Sequence, residues 1–266
     1  MATIVPPDHG SVNAEPPRAE PRIAGPAYAA EFAGDYDRWF GKPNISASTV
    51  DALDDLAALA GAGRPVLELG IGTGRIALPL RARGIDVHGI DGSPAMVRQL
   101  REKPGGTEVP VTLGDFSEVP VTGEFGVVYL AAGTFFELPD QEAQSRCFEK
   151  VVPRLAPGGL FVFDAHVPEQ LAAHAQGAEV VSEGEDHLVL CYRRIDASAQ
   201  RYRSHYVIHE AGSTRHLRVE FRYAAHGELD LMAGRAGLRL KERWGSWAGA
   251  PFTRDSAYHV SVYEHA

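Results

Sequence analysis

The chain is short of several features that define whole protein classes. Its 266 residues include two cysteines, Cys147 and Cys191, far apart in sequence. That argues against a disulfide framework and suits a reducing compartment, so a cytoplasmic location is expected. No apolar run approaches the roughly 18 residues of a membrane-spanning helix. The first residues lack the apolar core of a signal peptide. No membrane partner is therefore expected. Bases are scarcer than acids: 26 Lys and Arg stand against 35 Asp and Glu, a formal net charge of -9. This balance disfavours nucleic acid as a partner. The histidines show no tight ligand spacing, so no metal is expected. There is no internal repeat.

What remains is an ordinary globular composition, 44% hydrophobic. The length suits one large domain or a domain with an insertion. Residues 1–26 are rich in Pro, Ala, Glu and Gly without a period, and read as a disordered tail. Residues 27–266 then read as one domain. Between Tyr28 and Phe40 the composition turns aromatic, with Phe32, Tyr36 and Phe40 on one face of a helix. A second helix is expected over Ser48–Ala60, with Val50, Leu53 and Leu56 in its apolar stripe.

The chain is organised around Val66-Leu67-Glu68-Leu69-Gly70-Ile71-Gly72-Thr73-Gly74-Arg75. This reads as a buried strand, a tight glycine turn and a helix start. Gly70, Gly72 and Gly74 free the backbone for positive φ and clear room for a ligand. Thr73 is positioned to cap a helix running to Ala82, and Pro79 should bend it. The third glycine of a dinucleotide fingerprint would fall at position 75, which is arginine. Asp91 ends a second strand 21 residues after Gly70. That is close to the spacing of an acid that accepts bonds from ribose hydroxyls. Ser93, before Pro94, suits a helix cap.

The pattern Glu68-x-Gly70-x-Gly72-x-Gly74 resembles motif I of class I S-adenosylmethionine-dependent methyltransferases. Later segments agree in order and spacing. They are Gly114-Asp115-Phe116 after a third strand, Phe125–Leu130 as a fourth, and Leu155-Ala156-Pro157-Gly158-Gly159 before a fifth at Leu160–Asp164. The resemblance covers about residues 65–166. It implies a doubly wound α/β sheet of seven strands with helices on both faces. Segments alternating over about 179–223 add a small antiparallel β insertion after strand five. Leu238–Trp247 and Ala257–Glu264 read as the closing hairpin, after a helix at Glu228–Ala236.

The resemblance also implies the cofactor, S-adenosylmethionine, and a set of residues to hold it. These are Glu68, Gly70, Gly72, Gly74 and Arg75 in motif I; Asp91, Gly92, Ser93 and Met96 after strand two; Asp115 and Phe116 after strand three; and Leu130 at the end of strand four. Tyr36 and Trp39 belong to an aromatic N-terminal helix that closes over the cofactor in many small-molecule methyltransferases. Tyr28, Phe40, Phe135, His205 and Trp244 are candidates for the acceptor's walls. His166, just past strand five, is the candidate general base, with Tyr36 beside it as a catalytic candidate. The implied activity is methyl transfer to N or O of a small organic substrate in natural-product or sugar-amine tailoring. C-methylation of an electron-rich aromatic such as indole, and cofactor binding without transfer, stay open. So does a homodimer. Arg193, Arg194, Arg201, Arg203, Arg215, Arg218 and Arg222 cluster in the insertion, either on solvated strand faces or at a substrate or partner.

Overall fold

The computed structural model describes residues 33–40, 43–174 and 177–266. The tail, Tyr28 and Phe32 lie outside the described residues. Helix α1 spans Tyr36–Phe40 and α2 Pro43–Gly61. The chain then alternates β1 (Val66–Leu69), α3 (Ala77–Ala82), β2 (Val87–Asp91), α4 (Pro94–Arg101), β3 (Val111–Leu113) and β4 (Phe125–Leu130). Helix α5 (Gln141–Val151) leads to the long β5 (Leu155–His166) and α6 (Pro168–His174). A four-stranded excursion follows: β6 (Ala178–Glu183), β7 (His187–Asp196), β8 (Arg201–Glu210) and β9 (Ser213–Arg222). Helix α7 (His226–Ala236), β10 (Leu238–Trp244) and β11 (Tyr258–His265) complete the fold.

The main sheet has the order β10-β11-β5-β4-β1-β2-β3. Strands β1 to β5 run parallel, and β11 is antiparallel to both β5 and β10. Every residue of β1 and β4 is buried, as expected of strands covered on both faces. Their side chains alternate between two cores. Val66, Val127, Tyr129 and Val162 meet α2, α3 and α4 through Leu53, Leu80 and Leu100. Leu67, Leu130, Phe161 and Phe163 meet α5 and α7 through Phe148 and Leu229. The seven-stranded α/β sheet and the separate antiparallel sheet agree with the sequence reading.

Three local expectations need correction. Helix α3 begins at Ala77, not Gly74, and Ile76 occupies the cap position without a side-chain bond. Thr73 Oγ1 instead donates to Asp37 Oδ1 at 2.6 Å. Pro79 therefore falls in the first turn, where its missing N–H is not needed. Trp247 lies beyond the end of β10, in the loop that follows. Ser93 does cap α4, accepting from the Met96 amide at 3.4 Å.

The small sheet docks on the main body through Arg222, whose side chain is 6% exposed. Arg222 donates to Glu228 Oε1 at 2.5 Å and to Gln200 Oε1 at 3.1 Å, and also to Gln144. The Gln144 amide returns a bond to the Arg222 carbonyl at 2.9 Å. Removing one partner from such a network leaves the others desolvated and unmatched. Arg222→Met is therefore expected to lower stability by roughly 3 kcal/mol in urea denaturation. A loss below about 1 kcal/mol would show that the network contributes little to docking.

Candidate active site

A cavity of about 360 Å³ opens over the carboxyl ends of β4 and β5. Helix α1 walls one side, and the inner face of the small sheet roofs it. This is where ligands sit in open parallel sheets, at the carboxyl ends of the strands.

Beside it, the glycine turn has backbone that side chains would obstruct. Gly70 has φ +77°, and a Cβ there would lie 2.7 Å from Thr134 Cγ2. Gly72 has φ +55°, and nothing but the Gly70 carbonyl comes within 4 Å of an added Cβ. The turn thus offers open backbone on one side. Asp91 fixes its shape: Oδ2 accepts from the Gly72 amide at 2.7 Å and Oδ1 from the Ser93 amide at 2.7 Å. Burial raises the Asp91 pKa against these two bonds. Each carboxylate oxygen keeps a further lone pair for a ligand hydroxyl. Asp115 accepts from the Ser117 amide at 2.8 Å, and Phe116 packs half-buried against the core.

Glu68 lies beneath the turn rather than on its open side. It is buried and accepts from Tyr129 Oη at 2.8 Å. Burial pushes its pKa up to about 8, against the Tyr129 bond and the Arg75 charge. It is thus a largely protonated strut at neutral pH. Met96 is likewise buried, packed against Ala33, with Tyr36 beside them.

Helix α1 is held from both sides. Toward the turn, Asp37 accepts from Thr73 Oγ1 at 2.6 Å and pairs with Lys103, which also donates to the Thr73 carbonyl at 2.7 Å. Arg75 donates to the Phe40 carbonyl at 2.9 Å. Toward the roof, Arg38 pairs with Asp186 at 2.7 Å and with Glu210. Trp39, 1% exposed, fills a roof pocket of Val189, Ile208, Leu217 and Val219. Tyr36 and Phe40 remain at the cavity wall, their rings 5.1 Å apart. Burial raises the Tyr36 pKa, with Arg75 opposing, so its hydroxyl stays protonated.

At the far wall, Asp164 accepts from the amides of Ala132 (3.1 Å) and Gly133 (2.6 Å) and from Trp247 Nε1 (2.8 Å). It shapes the loop after β4 and pins Trp247 into the wall. His166 stands next to this loop: a Cβ on Gly133 would come within 4.0 Å of His166 Nε2. Burial lowers the His166 pKa below 6.5, aided by the Arg193 charge and opposed by Asp164 and Glu179. The imidazole is therefore neutral at physiological pH and able to accept a proton. Glu137, Arg193, Tyr202 and Tyr206 complete the polar lining.

The structure brings Tyr36, Trp39, Phe40, Arg75 and His166 together at one cavity. Four other candidates lie elsewhere. Phe135 is fully buried and stacks on Phe163 at 4.5 Å, on the core side of the loop. Leu130 points into the same core. His205 faces outward, because the alternate residues Tyr202, Ser204 and Tyr206 line the cavity; its ring meets His216 at 3.0 Å. Trp244 donates to Glu242 at 2.8 Å, and Trp247 takes the wall position. Glu137, Asp164, Arg193, Tyr202 and Tyr206 went unselected in the sequence. Alternation with buried neighbours marks a strand face for Tyr202, Tyr206 and Arg193, the last noted only as one of a cluster of arginines, but nothing local marks Glu137 in its turn. Among the described residues no cluster of potential metal ligands occurs, and no helix is long and apolar enough to cross a membrane.

A mixed sheet with a glycine turn after its first strand, an acid after its second and a reversed hairpin at its edge makes a frame suited to a nucleotide cofactor. Residues 66–159 match the methyltransferase domain family. The CcbJ methyltransferase from Streptomyces caelestis is 37% identical and superposes with a TM-score of 0.80, over 90% of this chain and 98% of that one. The cypemycin N-terminal methyltransferase of a Streptomyces species is 29% identical over 204 residues, 76% of this chain and 83% of its own. The sugar N-methyltransferase KedS8 from a Streptoalloteichus species shares the fold at 21% identity, TM-score 0.67, over 98% of both chains. The chain belongs to the S-adenosylmethionine-dependent methyltransferase family.

The buried glutamate gives a sharp test of the site's electrostatics. With a folded pKa of about 8 against an ordinary 4.5, folded Glu68 keeps a proton that the unfolded chain releases. Stability should fall as pH rises between these values and level off above them. Glu68→Gln removes that slope. Its stability advantage over the natural chain should grow from pH 5 to pH 8 by at least about 1 kcal/mol in urea denaturation. A difference independent of pH would contradict the assignment.

Proposed function

We propose that the enzyme methylates a nitrogen or oxygen of a small polar substrate bound in the roofed chamber, in natural-product tailoring. The observation that carries this reading is His166 at the chamber wall, beside the small loop that follows β4, where desolvation and the Arg193 charge lower its pKa. The relatives support the substrate class: one is named for methylation of a cypemycin N-terminus and another for a sugar nitrogen. The aromatic and polar lining, with a volume of about 360 Å³, suits a compact organic acceptor.

The residues present fit S-adenosylmethionine. The open backbone at Gly70 and Gly72 suits a ligand lying against the turn. Asp91 holds the ribose hydroxyls, and Asp115 with Phe116 receives the adenine. Tyr36 and Arg75 hold the amino-acid end. Glu68, Gly74, Ser93 and Met96 act beneath this surface, as supports of the turn and of α4, and Gly92 links Asp91 to Ser93. When bound, the cofactor supplies a methyl group already activated by a good leaving group. The chain's work is orientation, worth roughly 7–11 kcal/mol in favourable cases, and exclusion of water by α1 and the roof. His166 takes the proton released by the acceptor nitrogen or oxygen. An aromatic carbon acceptor, against the ring walls of Phe40, Phe221 and Trp247, is the second reading; it lacks a use for the chamber's charges.

If His166 is the base, His166→Ala should lower kcat by about 10²–10⁴-fold and leave calorimetric affinity for S-adenosylmethionine unchanged. Because the imidazole stays neutral below its ordinary 6.5, the natural enzyme's acid limb should fall below pH 6.5. Full turnover of the variant across pH would remove His166 from the mechanism.

A further inference from the structure

We infer that Arg193 is an anion subsite in the chamber and that the acceptor is a small amine bearing a carboxylate. This rests on the methyl-transfer reading above. Seven arginines cluster in the insertion, and alternation along β7 sends one of them, Arg193, onto the chamber wall. Arg75, the other cation there, sits at the glycine turn and holds the Phe40 carbonyl.

Arg193 is held but under-used. Its side chain is 21% exposed, and its one hydrogen bond among the described residues is to Glu179 Oε2 at 2.7 Å. A guanidinium carries five donors in a planar fork, so among the described residues most of its donor capacity meets no hydrogen-bond acceptor. Glu179 is 55% exposed, at the rim. Arg193's charge reaches His166, Tyr202 and Tyr206, so it shares their space.

The surroundings select the kind of anion. The Arg193 guanidinium already faces Glu179, and Glu137 also lines the chamber, where its charge reaches Tyr36 and Tyr202. A dianionic phosphate would be repelled by both acids, whereas a carboxylate matches one planar guanidinium with two parallel bonds. Glu137 in turn favours a basic group at its own end, near Tyr36. The chamber thus offers an anion subsite at Arg193, beside His166, and a place for a basic group at Glu137, near Tyr36.

The test uses the full chain with methyl-labelled S-adenosylmethionine and a panel of α-, β- and aromatic amino acids, each as free acid and methyl ester. The free acids should show at least a tenfold higher kcat/KM than their esters. Arg193→Met should reduce that preference to twofold or less, with affinity for S-adenosylhomocysteine unchanged, while Glu179→Gln should retain it. Equal use of acids and esters would overturn the subsite. So would an Arg193→Met variant in which acids and esters decline in parallel, the mark of a purely structural role. Calorimetry of the same acids on the S-adenosylhomocysteine-loaded protein separates the two readings. Acids that do not bind, while uncharged amines are methylated, overturn the subsite and leave methyl transfer standing. Acids that bind through Arg193 without methylation of any amine support the subsite and overturn N-methylation.

Discussion

The site depends on five residues of helix that belong to neither sheet. Helix α1 is too short to be stable alone, and its position is set by what it grips. Asp37 ties it to Thr73 and Lys103 at the glycine turn, and Arg38 ties it to Asp186 and Glu210 at the roof. Trp39 is buried in the roof's own apolar cluster. A helix held this way couples the glycine turn to the roof. Each surface ion pair is individually weak, so the buried tryptophan and the charged straps act together. These contacts close the chamber's side wall between two sheets that the Arg222 network already docks together.

Burial then decides the protonation of the groups inside. It holds Glu68 mostly neutral beneath the turn, keeps the Tyr36 hydroxyl protonated and keeps His166 unprotonated. Formal charge in the chamber is left to Arg75, Arg193, Glu137 and Glu179, with Asp164 committed to two backbone amides and an indole. On the proposed reading the acceptor needs a free lone pair, and a neutral imidazole at the chamber wall suits that need better than a charged one.

The main sheet was legible because its signals are local. The Glu68-to-Gly74 turn, Asp91 at its spacing and the Pro157-Gly158-Gly159 turn each report on backbone a few residues long. The roof strands were legible from their alternation. What alternation leaves open is which face looks inward. Arg203, His205 and His209 alternate along β8 on its outer face, because α1's Trp39 packs against the other. Phe135 and Glu137, two residues apart in one turn, divide between core and chamber. Trp244 and Trp247 divide because β10 ends between them. Thr73 does not cap α3, because the helix begins at Ala77, and its hydroxyl donates instead to Asp37, 36 residues earlier. These outcomes depend on contacts distant in sequence, which no local pattern encodes.

The central claim is that cofactor and acceptor meet beneath the roof, with the glycine turn and Asp91 on one side and His166 on the other. A crystal structure with S-adenosylhomocysteine tests it most directly. The account predicts ribose hydroxyls on Asp91 and the sulfur directed past Gly133 toward His166 and Arg193. A nucleoside bound away from the Gly70–Gly74 turn, or a sulfur facing out of the chamber, would contradict it.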